Sequence, residues 1–335
     1  MRLLAFFIII TLPFFSACSS RNEPGPSFND PVLNGSGLEI IDVSSGMRYD
    51  GSFFICFIEK KKQSIHCTDQ QLSRKLANFQ GQFVSLETSG VLCAINSLGR
   101  LFCAARTEEP GNSWISAANA SITVFSTKPH ALTMVMGGLC AMTKQGKSEC
   151  FINNIAPAMP DLSTFIDLSQ ILYFPDGSFF GIKETQGLVR AHQGAKMVDQ
   201  PGTSTEKYLG LAYVKWSKPN LPPAFFGLKS DNTVEVVTGN PASLPSGIPP
   251  LESIVGMGKS TGSNTSICGI RVDNKEIYCS NPNDAGAYQG VAYLKLDAST
   301  AGNGVVCGVT TKHKINCFGV SDELPMIPEG LRITP

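Results

Sequence analysis

The chain has 335 residues and no net charge at pH 7, because 27 basic residues balance 27 acidic ones. Only 16% of the residues are charged, whereas 32 glycines and 21 prolines supply many turn formers. The lack of a basic excess or a basic stripe argues against a nucleic-acid partner. Few charges and many turn formers favour short strands and loops over long helices.

Residues 1–17 predict a secretory signal peptide. Arg2 supplies a positive charge, and an apolar run extends from Leu3 to Phe15. This run is shorter than the roughly 20 residues that a helix needs to span a bilayer, so we interpret it as a signal that is removed.

The end of this signal resembles a bacterial lipobox, because Ser16 and Ala17 place small residues directly before Cys18. The resemblance implies cleavage before Cys18, a diacylglycerol on its sulfur, further acylation such as palmitate, and a place in the bacterial envelope, at the outer membrane. Two or more acyl chains make a stable anchor. An ordinary signal with an incidental cysteine is the alternative interpretation.

Residues 18–37 predict a lipidated, flexible tether, because they are rich in Ser, Asn, Pro and Gly and lack apolar periodicity. A flexible coil of this length reaches roughly 25 Å. No later segment is apolar over 18 residues, so residues 38–335 are expected to form a soluble domain.

Ten of the eleven cysteines fall into five evenly spaced pairs, and each pair predicts a disulfide across a β-hairpin. Directly opposed residues on antiparallel strands have Cβ atoms about 4.5–5.5 Å apart, within reach of a slightly adjusted disulfide. An exported protein would keep such bridges oxidised. The pairs are Cys56/Cys67, Cys93/Cys103, Cys140/Cys150, Cys268/Cys279 and Cys307/Cys317.

The turn residues between the cysteines support these hairpins. Ser97-Leu98-Gly99 predicts a three-residue loop whose last residue needs a positive φ, and His313 holds the same position in the last pair. Asp273-Asn274 predicts a two-residue turn. A metal site is the alternative, although zinc ligands are usually spaced more closely and the four histidines are scattered.

The cysteine pairs also mark an internal repeat. Two cysteine-free segments with the same apolar pattern, at Phe180 and Phe226, raise the number of units to seven. Their mean period of about 42 residues lies within the roughly 40–50 residues of propeller blades. The pattern therefore predicts an all-β fold, a seven-bladed β-propeller over residues 38–335.

The motif of these units resembles the regulator of chromosome condensation repeat family, in particular its secreted bacterial members. The units that resemble the family pattern most closely are Cys93-Ala94 with Gly99 and Cys103, and Cys140-Ala141 with Gly146 and Cys150. Phe318 stands where that pattern has tryptophan. The resemblance implies seven blades. We expect residues 330–335 to pair with the first blade.

Chemistry-bearing motifs are scarce, so no catalytic residue, cofactor-binding residue, cofactor or metal ligand is predicted. Four carboxylates lie on or just after leading strands and would converge if those strands line a central channel: Asp42, Glu87, Asp167 and Asp297. They could serve glycoside chemistry or simply keep a channel polar. Their unmatched positions among the units favour the second interpretation.

We therefore predict a monomeric, lipid-anchored binding protein, not an enzyme, that presents a propeller face to a protein or glycan partner. Two alternatives stay open: an enzyme acting on a glycan in the central channel, and a scaffold subunit of an envelope complex. Convergent titratable groups with perturbed pKa values would favour catalysis. A broad apolar patch on one face would favour partner binding.

Overall fold

A computed structural model describes the chain over the following residues: 39–47, 53–76, 79, 81–88, 91–105, 115, 129–135, 138–143, 148–152, 172–173, 178–182, 188–192, 198–199, 207–214, 224–238, 244, 246–257, 266–280, 290–298 and 305–319. Cys18, Asp167 and residues 330–335 lie outside these ranges, and so do the predictions that concern them.

The described residues form seven antiparallel sheets in chain order. Sheet 1 contains β1 (Ile40–Met47), β2 (Phe53–Glu59) and β3 (Ile65–Cys67); sheet 2 contains β4 (Phe83–Thr88), β5 (Val91–Asn96) and β6 (Leu101–Ala105); sheet 3 contains β7 (Pro129–Val135), β8 (Gly138–Thr143) and β9 (Ser148–Ile152); sheet 4 contains β10 (Leu172–Tyr173), β11 (Ser178–Ile182), β12 (Leu188–His192) and β13 (Val198–Asp199); sheet 5 contains β14 (Tyr208–Val214), β15 (Ala224–Lys229) and β16 (Val234–Thr238); sheet 6 contains β17 (Leu251–Met257), β18 (Ser266–Arg271) and β19 (Ile277–Cys279); sheet 7 contains β20 (Tyr293–Ala298), β21 (Val305–Thr310) and β22 (Ile315–Gly319).

One short helix, α1 (Gln70–Lys75), follows sheet 1, and the Asp69 carboxylate caps it by accepting hydrogen bonds from the N–H groups of Gln71 and Leu72. Apart from α1, Leu76 directly after it and the isolated helical residue Ile115, the described residues are strands, turns and loops. The prediction of an all-β fold is therefore confirmed.

The turns between the second and third strands agree with two of the three predictions. Gly99 and His313 adopt φ values of 76° and 58° at the ends of three-residue loops. The predicted two-residue turn at Asp273-Asn274 is wrong. Arg271 donates its N–H to the Glu276 carbonyl, so the loop has four residues and the positive φ of 62° falls on Lys275. The additional residue of the eleven-residue spacing thus lengthens the loop and leaves the strands in register.

Four disulfides bridge directly opposed residues of the second and third strands, with Cα atoms 4.0–4.1 Å apart: Cys56–Cys67, Cys93–Cys103, Cys268–Cys279 and Cys307–Cys317. The backbones of Cys140 and Cys150 are paired in the same register, and their side chains lie outside the description. The described bridges are buried and pack into the apolar layers between sheets.

Shared apolar layers join sheet 1 to sheet 2, sheet 2 to sheet 3, sheet 4 to sheet 5, sheet 5 to sheet 6 and sheet 6 to sheet 7, and sheet 7 packs against sheet 1. One apolar layer joins Ile40, Val43 and Phe57 of sheet 1 to Val305 and Val309 of sheet 7. The leading strand of sheet 1, β1, also lies between the leading strands of sheets 2 and 7. The packing therefore brings the end of the described chain back to its beginning.

A repeated backbone hydrogen bond links neighbouring sheets at the hairpin turns. The first residue of a leading strand donates its N–H to the carbonyl of the residue with positive φ in the preceding sheet's turn. The pairs, with their N···O distances, are Ile40 to His313 (2.7 Å), Phe83 to Gln63 (2.7 Å), Leu251 to Asn232 (2.9 Å) and Tyr293 to Lys275 (2.8 Å). The equivalent position in sheet 3 is Pro129, which has no N–H to donate.

Candidate functional site

Three of the four carboxylates singled out from the sequence meet between the leading strands of sheets 1, 2 and 7. We call Asp42, Glu87, Lys295 and Asp297 the central cluster. The expectation that these carboxylates occupy unmatched positions is wrong for Glu87 and Asp297, whereas Asp42 shares its position with no other described carboxylate. Glu87 and Asp297 both lie opposite the first cysteine of their sheet, and Asp42 shares with Lys295 the position opposite the second residue after that cysteine. Connecting loops of different length hide this match in the sequence.

Asp42 links all three leading strands. Its Oδ1 atom lies 2.5 Å from Lys295 Nζ, and its Oδ2 atom accepts a hydrogen bond of 3.0 Å from the Leu86 N–H. The Val43 N–H also donates to Oδ1, at 3.0 Å. Asp42 is buried, so this set of donors compensates the loss of hydration of its carboxylate.

Asp297 forms a second link between sheets 7 and 1. Its Oδ2 atom accepts hydrogen bonds from the Ser45 N–H at 2.9 Å and from Ser45 Oγ at 3.0 Å. On the other side of β1, the Ser44 hydroxyl lies 3.2 Å from Thr88 Oγ1 and accepts from the Thr88 N–H at 3.1 Å. Hydroxyls and carboxylates thus join sheets 7, 1 and 2 side by side.

The surroundings of the central cluster shift its protonation equilibria. Burial, opposed by Lys295 and the Ser45 hydrogen bonds, raises the pKa of Asp297 to about 6. Burial together with the charge of Asp297 raises the pKa of Glu87 well above its ordinary value. Desolvation lowers the pKa of Lys295, but attraction to Asp42 and their hydrogen bond outweigh it, so the net shift is upward. Burial and the repulsion between neighbouring carboxylates therefore favour the protonated forms of Glu87 and Asp297.

Water reaches this cluster, because Lys295 exposes 46% of its side chain. The arrangement can hold and release a proton at Glu87 or Asp297, and it ties three sheets together. Across the residues that the structure describes, no three His, Cys, Asp or Glu side chains are arranged to hold a metal ion.

The sequence prediction missed Lys295 and Ser45. The alternation Lys295-Leu296-Asp297 was the available signal, because residues two apart in a strand point to the same face. Ser45 gave no comparable signal. His66 and His313 do not belong to the central cluster. The His66 ring stacks on Phe57. His313 lies at a hairpin turn, with Nδ1 3.1 Å from the Ile40 carbonyl oxygen.

A second feature lies at the hairpin turns. In five sheets the first residue of the turn donates its N–H to the carbonyl that precedes the leading strand of the same sheet, as Lys60 does to Glu39 and Ser97 to Gln82. We call these turns and the adjacent starts of the leading strands the rim of sheets 5, 6, 7, 1 and 2. All the large apolar side chains found exposed among the described residues lie on this rim: Val84, Leu98, Leu209, Val272 and Leu294.

No helix within the described ranges is long and apolar enough to cross a membrane.

Comparison with known proteins finds similarity of fold without similarity of sequence. No protein-family model and no curated protein matches the chain. The ectodomain of the receptor kinase CR4 from Physcomitrella patens superposes with a TM-score of 0.54 at 14% identity, over 84% of this chain and 74% of that one. The CRINKLY WD40 ectodomain of the receptor kinase ACR4 from Arabidopsis thaliana gives 0.49 at 15% identity, over 85% and 97%. The WD40 β-propeller domain of Doa1 gives 0.48 at 11% identity, over 86% and 96%. The chain is an all-β protein of antiparallel, mostly three-stranded sheets, and its structural neighbours are β-propeller domains.

Proposed function

We propose that this protein is a lipid-anchored binding protein of the bacterial envelope. In this proposal residues 38–335 form a seven-bladed propeller of the regulator of chromosome condensation type. Cys18 carries the lipid, and one propeller face binds a protein or glycan partner. The seven sheets, the common register in which the paired cysteines face each other and the disulfides across the hairpins support the propeller.

The observation that carries a binding role is the internal pairing of the central cluster. Asp42 is paired with Lys295 and with backbone donors, and Asp297 is paired with Ser45. Groups that are satisfied in this way join sheets 7, 1 and 2 into a rigid scaffold. Binding residues usually lie on loops that such a scaffold positions.

Crosslinked capture of the intact lipoprotein from its own membranes tests the binding role. We expect a defined protein or envelope glycan to be recovered with the wild-type chain. The Cys18→Ser variant should escape labelling by a palmitate analogue and should leave the membrane fraction. Recovery of neither a protein nor a glycan would contradict the binding role, and unchanged lipid labelling of Cys18→Ser would contradict the anchor.

A second candidate function, an enzyme acting on a glycan in the channel, is favoured by the raised pKa values of Glu87 and Asp297. A carboxylic acid that stays protonated near neutral pH can act as a general acid. This candidate predicts that the wild type cleaves an envelope glycan, that Glu87→Gln abolishes cleavage, and that Asp273→Asn on an exposed turn does not. An intact glycan after incubation with the wild type would exclude it.

A further inference from the structure

The rim is a continuous surface, because hydrogen bonds connect its members across sheet boundaries. Within each sheet the turn bonds to the start of the leading strand, and the same turn bonds to the leading strand of the next sheet. The chain of bonds runs from the turn of sheet 5 through sheets 6, 7 and 1 to the turn of sheet 2. The backbone positions along the rim are therefore held relative to one another.

The exposed apolar side chains of the rim have a common structural origin. Val84, Leu209 and Leu294 are each the extra residue of a β-bulge near the start of a leading strand. A bulged residue has no partner across the ladder, so its side chain turns away from the packed layers. Leu98 is 62% exposed and Leu294 53%. Isolated apolar side chains on a surface are ordinary, but here they all share one rim.

The charge on the rim is uneven. Apart from Lys295 of the central cluster, the exposed charged side chains on sheets 7, 1 and 2 are five basic ones, Lys60, Lys61, Lys62, Arg100 and Lys312, and one carboxylate, Glu39. Lys60 pairs with Glu39, and the other four give this part an excess of positive charge. On sheet 6, in contrast, the charges compensate each other, because Lys275 pairs with Glu252 and Arg271 pairs with Asp273. We call the part on sheets 7, 1 and 2 the basic rim.

The first described residue, Glu39, also lies at the basic rim. Glu39 precedes β1, and its carbonyl accepts the N–H of Lys60 in the turn of sheet 1. Twenty residues, 19–38, separate Glu39 from Cys18. A lipid on Cys18 would thus hold this rim, and not the opposite ends of the sheets, nearest to the bilayer, within roughly 25 Å. Only this placement of the rim depends on the lipid that the proposed function assigns to Cys18.

We propose that the basic rim docks on the surface of a bilayer that contains anionic phospholipids. Lysines and arginine on the rim attract anionic head groups. Leu98, Val84 and Leu294 insert among the head groups, as apolar side chains of interfacial proteins do. The opposite ends of the sheets then point away from the membrane.

Vesicle co-sedimentation of the chain without its lipid tests this proposal. The chain starts at residue 18, carries Cys18→Ser and is exported behind an ordinary cleavable signal, so neither a lipid nor the apolar signal contributes. We expect binding to vesicles of phosphatidylcholine with phosphatidylglycerol, much weaker binding to phosphatidylcholine alone, and a loss of binding as salt screens the charges. Replacing Lys61, Lys62 and Lys312 by Gln should weaken binding by about fivefold for each lysine.

Matched variants distinguish docking through the rim from a change in total charge and from a loss of fold stability. Arg74→Gln removes an exposed positive charge on α1, away from the rim, and should bind as the wild type does. Leu98→Ser combined with Leu294→Ser should weaken vesicle binding with an unchanged melting temperature, because both side chains are exposed.

Three results would overturn the proposal: equal binding to neutral and anionic vesicles, unchanged binding of the lysine variant, or a dimer in sedimentation velocity that Leu98→Ser dissociates. The last result would mean that a second copy of the chain covers the rim. A failure to label Cys18 or to capture a partner leaves the vesicle result intact, so the two proposals fail separately.

Discussion

Sheets 2 and 5 reach the same geometry with different chemistry. In sheet 2, Cys93 and Cys103 face each other across the hairpin and form a disulfide. In sheet 5 the same two register positions hold Phe226 and Val236. Both hairpins close with a three-residue loop that ends in a residue of positive φ, Gly99 or Asn232. The register of a unit is therefore set by its turn and by its apolar alternation, and the disulfide adds stability to a register that forms without it.

The two sheets gain that stability by different physical routes. The disulfide limits the conformations of the unfolded chain, which the entropy model values at roughly 2–3 kcal/mol for a loop of this size. Phe226 is buried in the layer between sheets 5 and 6, with Leu228, Leu251 and Ile267, and stabilises the folded state by removing apolar surface from water.

Phe226→Ala should cause the largest loss of stability. Removing a buried aromatic side chain leaves a cavity and costs about 3–5 kcal/mol of the free energy of unfolding, measured by urea denaturation. Val272→Ala, on an exposed turn, should change it by less than about 0.5 kcal/mol. An equally small loss of unfolding free energy in both variants would mean that burial of Phe226 does not stabilise sheet 5 in place of a disulfide.

The double variant Cys93→Ala with Cys103→Ala should cost less, about 2–3 kcal/mol under oxidising conditions. Hydrogen exchange at the amides of Asn96 and Gly99 should still show protection, because the turn keeps its backbone bonds. Loss of that protection in the folded variant would mean that the disulfide, and not the turn, fixes the register.

The smallest expected loss of stability concerns the leading-strand residue that faces the first cysteine, or the residue in its place. This residue is Asp297, opposite Cys307, in sheet 7 and Ala212, opposite Phe226, in sheet 5. The folded-state pKa of Asp297, about 6, exceeds the value of about 3.9 for an unfolded chain, so its stabilising contribution is complete below about pH 4 and disappears as the pH rises through 6. Between pH 4 and pH 7, we expect the free energy of unfolding of the wild type to fall by on the order of 1–2 kcal/mol more than that of Asp297→Asn.

Urea unfolding across this pH range measures the difference, and Asp273→Asn on an exposed turn is the control. Parallel pH profiles for the wild type and Asp297→Asn would show that the central cluster does not retain protons.

Much of the fold follows from local signals. The spacing of the cysteines, Gly99 and His313 in the turns, and the apolar pattern at Phe226 predicted strands, hairpins and their order. The turn at Lys275 was not predictable with the same rule, because a two-residue turn at Asp273-Asn274 and the observed four-residue loop both leave Cys268 opposite Cys279, so the cysteine spacing does not distinguish them. For the candidate site, Asp42, Glu87 and Asp297 were identified as residues that could meet, whereas Lys295 and Ser45 were not.

The sequence by itself determined the repeat, the strand pairs within each unit and the cysteines that face each other, because these depend on contacts between residues close together in the chain. Only the tertiary structure decided that Asp42 meets Lys295, that Ser45 meets Asp297, and that the Ile40 N–H meets the His313 carbonyl. Such contacts join residues about 250 positions apart or more, and they depend on how sheet 7 packs against sheet 1. The same packing gathers isolated basic and apolar residues into one rim, which no single unit of the repeat contains.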